Sequence, residues 1–72
     1  MAIPYSVIED SIAERLGGNP SYRLVSRLAG YAYNIFTSMG WPAAGSLAYD
    51  RVVCGLCNAA ITGSEEMHDD VH

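Results

Sequence analysis

Two thiols and two imidazoles fall within residues 54–72, as Cys54-x2-Cys57, ten intervening residues, then His68-x3-His72. Cysteine and histidine at such spacings are the ligand set of a structural zinc site, tetrahedral and closed to substrate. These four are the only cysteines and histidines in the sequence. In a metal site the Cys-Gly-Leu-Cys segment would form a knuckle, with Gly55 letting backbone amides turn toward sulfur. His68 and His72, four apart, would share one face of a helical turn. A helix offers the competing arrangement: Cys54 and Cys57, three apart, would sit on one face as small apolar residues, with no metal and no reactive thiolate. A redox role has less support, because no thioredoxin-like strand-helix pattern surrounds the pair.

Two partial resemblances bear on the metal alternative. Ile61 and Met67, four and ten residues after Cys57, resemble the apolar positions of zinc fingers of the two-cysteine, two-histidine kind. The histidines arrive two residues early for that family. Trp41-Pro42 followed by Asp50-x-Val52-x-Cys54-x-x-Cys57-x-x-x-Ile61 looks like part of a baculoviral inhibitor-of-apoptosis repeat. That family's later cysteine is missing and the spacer is too short. Each resemblance covers less than half of the chain, and neither carries the reading.

No other constellation suggests a reaction. Catalysis needs a nucleophile, a base and an orienting group held in a pocket. The histidines lie outside the helical body, and a chain of 72 residues leaves little room for a concave site. The body's acids, Glu9, Asp10, Glu14 and Asp50, equal its arginines, Arg15, Arg23, Arg27 and Arg51, in number. The whole net charge of −4 therefore resides on Glu65, Glu66, Asp69 and Asp70. Lysine is absent, and four scattered arginines do not make a phosphate-binding surface, which excludes direct nucleic-acid binding from the expectation. A mimic of nucleic acid would need acids spread over the body.

The elements that must position these residues are helical. Half of the residues are apolar, enough for a globular core, but a chain this short buries only about 60% of its unfolded surface and needs a staple or a partner. Ser6-x-x-Glu9 reads as a capping box opening a first helix, with Ile8, Ile12 and Leu16 on one stripe and Gly17-Gly18 at its end. Asn19 as cap and Pro20 at the first position open the second. Its apolar face carries Leu24, Val25, Leu28, Ala29, Ala32, Ile35, Phe36 and Met39, a 3.6-residue pattern that stops at Gly40-Trp41-Pro42. A third helix is expected from about Ala43 to Ile61, with two apolar stripes. Tyr49, Val52, Val53, Leu56 and Ala60 form one; Leu47, Cys54, Cys57 and Ile61 form the other, spaced seven, three and four as coiled-coil positions are. Two stripes on one helix in a three-helix domain suggest a homodimer seam. Connections of two to five residues fit an antiparallel arrangement.

Residues 28–49 carry no charge and are long enough to cross a bilayer, but Gly30, Asn34, Gly40, Pro42 and Gly45 interrupt them. They read as parts of two soluble helices around a turn. The acids of residues 1–16 do not suit a targeting segment, and two cysteines are too few for a disulfide framework, so a reduced cytoplasmic setting is expected.

The expected fold is thus all-α: a small three-helix domain over residues 1–63, or an obligate helical dimer, with a flexible acidic C-terminal tail over 64–72. The expected function is non-catalytic protein binding, as an adaptor or inhibitory protein of the phage or mobile-element type. That origin is an analogy of size and type. Six tyrosines and tryptophans are many for this length, and such residues rim a core or form an interface. Tyr22, Arg23, Arg27, Tyr33 and Trp41 are the candidate partner-binding residues, and Leu47, Cys54, Cys57 and Ile61 the candidate dimer seam. No cofactor is expected, except zinc on Cys54, Cys57, His68 and His72 under the alternative. The expected partners are a larger protein and a second copy, with no nucleic acid and no membrane.

Overall fold

The computed structural model describes residues 2–62; the expected tail, including His68 and His72, lies outside that span with Met1 and Gly63. Three α-helices make the architecture: α1 (Tyr5–Leu16), α2 (Tyr22–Met39) and α3 (Leu47–Ile61). No strand occurs among the described residues. The all-α, three-helix expectation holds.

Each helix starts differently from its sequence reading, for a local reason. The Pro4 carbonyl accepts from Val7 and Ile8, so α1 begins at Tyr5 and Ser6 lies inside its first turn. The capping box does not form, and no side chain caps this terminus. In α2 the cap is Ser21, whose Oγ accepts from the Arg23 amide at 3.2 Å. Asn19 and Pro20 belong to the preceding connection, since proline drives the residue before it to extended backbone. In α3 the Ser46 Oγ accepts from the Tyr49 amide, also at 3.2 Å. Residues 43–46 form a turn closed by the Ser46 amide on the Ala43 carbonyl, so α3 starts four residues later than expected. That turn lengthens the second connection to residues 40–46.

One core unites the helices. Ile8 and Ile12 from α1 meet Val25, Leu28, Ala29, Ala32 and Phe36 from α2, and Tyr49, Val53 and Cys57 from α3. Ile3 closes the end ahead of α1. Each large apolar side chain buried this way contributes about 1.5–3 kcal/mol. α1 lies along one flank of α2, where the Tyr5 hydroxyl donates to the Ser26 carbonyl at 2.7 Å. Gly30 lies beneath this hydroxyl, where an added Cβ would stand in ordinary contact, 3.4 Å from the Tyr5 oxygen.

Candidate functional site

The α2 C-terminus sets the most unusual backbone of the chain. Gly40 takes the left-handed conformation, its amide bonds the Thr37 carbonyl, and the Trp41 amide bonds the Phe36 carbonyl at 2.8 Å. This pair of bonds is a Schellman motif, which satisfies carbonyls the helix leaves open. Trp41 follows with φ 63°, the one described non-glycine residue at positive φ. A bulky residue there costs on the order of 1–3 kcal/mol unless its surroundings hold it.

Those surroundings are aromatic. The Trp41 ring meets Tyr33 edge-on at 4.9 Å between centroids, and Phe36 at 6.5 Å. Tyr33 stacks on Tyr5 at 5.9 Å, and Phe36 on Tyr49 at 5.0 Å. The rings run in series from Tyr49 in the core, through Phe36 and Trp41, to Tyr33 and Tyr5 at the surface. Edge-on and offset geometries of this kind are favoured by the ring quadrupoles. Beside Trp41, the segment Ala2–Pro4 with Val7 and Pro42 borders a shallow apolar groove of about 410 Å³.

The five residues expected to bind a partner separate into two patches. Tyr33 and Trp41 come together, joined by Tyr5, which the sequence reading left unassigned. Trp41 is half-buried against the core. Tyr22, Arg23 and Arg27 form a second patch, with Ser26, on the first turns of α2. Tyr33 is not beside these arginines: six residues of helix put it about a third of a turn around from Arg27. Tyr22 is 74% exposed, and the Glu9 carboxylate of α1 reaches it. The negative charge of Glu9, then a hydrogen bond from the phenol to it, raise the Tyr22 hydroxyl above its ordinary pKa.

The four residues of the expected dimer seam also part. Leu47 and Ile61 are 70% and 64% exposed, Cys54 is half-buried, and Cys57 is in the core at 0%. The Cys57 thiol points to the Ile12 carbonyl at 3.9 Å. The helical phase explains the split: Tyr49, Val53 and Cys57 recur every four residues, so Cys57 continues the core stripe. Burial pushes the Cys57 thiol pKa up, with a smaller opposing pull from Arg15 and a smaller push from Cys54. Cys54 accepts a long contact from the Asn58 amide at 3.5 Å. Cys54 and Cys57 are free thiols, and among the described residues no three metal-ligating side chains converge. A metal shared by Cys54 and Cys57 would need the Cys57 sulfur to leave the core.

No family model, curated protein or solved structure matches the chain.

A further polar cluster lies between α1 and α3. Ser11, Tyr49, Glu14, Arg15 and Asp50 line a cleft between α1 and α3. The Ser11 hydroxyl is occupied at both ends, by the Val7 carbonyl at 3.0 Å and the Tyr49 hydroxyl at 2.6 Å. No described helix is long and apolar enough to cross a membrane.

Proposed function

We propose that this chain is a small non-catalytic protein-binding module, an adaptor or inhibitor that acts by docking on a larger protein. The observation that carries it is Trp41, held at positive φ in a ring series that reaches the surface at Tyr33 and Tyr5. Strained backbone persists where the surroundings over-determine it, and such places cluster at ligand clamps and switch regions. Trp, Tyr and Arg are also the residues that dominate binding hot spots. The Trp41 patch supplies the rigid aromatic anchor; Tyr22, Arg23 and Arg27 supply a second, cationic contact for acidic side chains of the partner.

Photo-crosslinking from two positions tests the reading. A photoreactive residue at exposed Ala43 flanks the Trp41 patch, one at Tyr22 lies within the arginine patch, and one at exposed Asn58 is the control. One and the same protein captured from Ala43 and Tyr22, absent from Asn58 and lost on Trp41→Ala, supports the proposal. Equal capture from all three positions, or none from any, overturns it.

A further inference from the structure

We propose that the acidic stretch 65–70 of this chain docks on the arginine face of α2, with Asp69 and Asp70 on Arg23 and Arg27. The two arginines stand four apart in α2, on the side opposite its core stripe of Val25, Leu28, Ala29, Ala32 and Phe36. Tyr22 and Ser26 complete that face, and the four residues border a shallow surface depression of about 430 Å³. Residues 15–49 hold three arginines, Arg15, Arg23 and Arg27, and no acid. α2 therefore carries two positive charges with no acid along its own length. Glu9 of α1 comes near, at the Tyr22 phenol.

Charge selects the occupant. Residues 1–62 balance four acids with four arginines, so the net −4 resides on Glu65, Glu66, Asp69 and Asp70. A guanidinium pairs with a carboxylate through two parallel hydrogen bonds, which makes arginine the side chain best shaped for such a segment. The other two arginines have acids at hand. Arg15 shares its cleft with Glu14 and Asp50, and Arg51 follows Asp50 on α3. An acidic segment of another molecule would meet the same face. A segment joined by a short span is instead present at an effective concentration in the millimolar range, above that of any competitor in dilute solution.

The chain leaves the helices at the right end and is long enough. The Cys57 thiol meets the Ile12 carbonyl, and the next residues of α1, Ala13 and Glu14, border one groove with Tyr22 and Val25. The last turns of α3 and the first turns of α2 thus lie at the same end of the fold, both beside residues 12–14 of α1. From there the path crosses one helix spacing of about 8–10 Å and passes part-way around α2, whose radius with side chains is about 5–6 Å. That is about 15–20 Å in all. Asp69 and Asp70, seven and eight residues past Thr62, reach about 23–29 Å; Glu65, three residues past it, reaches about 10 Å. Asp69 and Asp70 are therefore the pair that meets the arginines, and Glu65 and Glu66 belong to the connecting span. The docked segment covers the cationic patch offered to a partner, so an acidic partner must displace it. That consequence rests on the proposed function; the contact itself does not.

Proton–nitrogen NMR of the full chain reads the contact without any partner. Asp69→Asn combined with Asp70→Asn should shift the Arg23 and Arg27 side-chain Nε resonances and the amides of residues 22–27, with helix content unchanged. Salt at 1 M should move the wild type toward the variant, since the Debye length there is about 3 Å. A synthetic peptide of residues 63–72 should bind the variant at least threefold more tightly than the wild type, whose own segment leaves the face open a third of the time or less. Shifts confined to Arg15 or Arg51, or none on α2, overturn the proposal. So does equal binding of the peptide to both chains. Wild-type shifts that relax toward the variant's on dilution, from millimolar to tens of micromolar, assign the contact to a second copy and also overturn it. Such a failure leaves the partner reading standing, because crosslinks from Ala43 and Tyr22 do not depend on residues 69 and 70.

Discussion

The Ser11 and Tyr49 hydroxyls lie 2.6 Å apart, joining α1 to α3 at the margin of the core. The Ser11 hydroxyl also reaches the Val7 carbonyl at 3.0 Å, and when its proton lies there Tyr49 donates across the pair. The same Tyr49 ring stacks on Phe36 of α2 with planes 8° apart. One side chain thus ties three helices. Tyr49→Phe keeps the stack and removes the hydroxyl–hydroxyl bond, and it should cost about 0.5–1.5 kcal/mol. For a domain of this size that lowers the melting temperature by about 4–8 °C per kcal/mol. Combined with Ser11→Ala in a double-mutant cycle, the pair should show a coupling of about 0.5 kcal/mol or more, as neighbours in one network do. Additive single-mutant effects would mean that water replaces the bond without loss.

Truncation in α2 and in α3 should separate core from surface sharply. Phe36 is fully buried and touches both Trp41 and Tyr49. Phe36→Ala should cost about 3–5 kcal/mol, the range for emptying an aromatic site. Stability near 0.05–0.15 kcal/mol per residue would give this chain about 4–11 kcal/mol in all, so the variant should be close to unfolding. Leu47→Ala, at a residue as apolar but largely exposed, should stay within about 0.5 kcal/mol. Urea midpoints of the two variants make the comparison; equal losses would place Leu47 in a core or a tight dimer seam.

That contrast marks what the pattern of residues could and could not reveal. The helices were legible because Ile8 and Ile12, and Val25, Leu28, Ala32 and Phe36, repeat at three and four, and no other element has that period. Their starts were less so. Asn19, Pro20 and Ser21 all suit a helix opening, and only packing chooses Ser21. The two stripes of α3 were misassigned at one residue: Cys57 belongs to both by spacing, and helical phase against Tyr49 and Val53 puts it inside. Tyr5 was invisible as a site residue because its partners, Tyr33 and Gly30, are more than twenty residues away in sequence. Ile35 and Met39 read as core by period alone, yet α1 and α3 leave their margin of α2 uncovered.

Thiol chemistry should distinguish the helical body from a metal-stapled one. Burial holds the Cys57 thiol above its ordinary pKa, and only the thiolate attacks an aromatic disulfide reagent. The native chain should therefore release one equivalent of reagent chromophore quickly, from Cys54, and the second only in denaturant. The raised Cys57 value also fixes a sign. Its contribution to stability is complete below the unfolded thiol pKa and is lost as pH rises through the folded one. A strong chelator should leave the thermal transition and both labelling rates where they were. Protection of both thiols that a chelator abolishes would instead identify metal ligation, since binding energy at such a site is folding energy.

The Glu9–Tyr22 contact lies beside the arginine patch. Glu9 on α1 raises the Tyr22 phenol at the start of α2, mainly by its charge. Tyr22 is wholly at the surface, so the effect should be seen in the titration and not in the melting temperature, and salt should weaken it. In a tyrosinate absorbance titration, with Tyr22→Phe identifying its share by difference, Tyr22 should ionise above the ordinary value near 10. Glu9→Gln should bring it down toward that value. A Tyr22 that ionises normally with Glu9 intact would show that the phenol does not hold this contact in solution. Its ring would then be free to reorient, and Arg23 and Arg27 would meet a partner without a fixed aromatic neighbour.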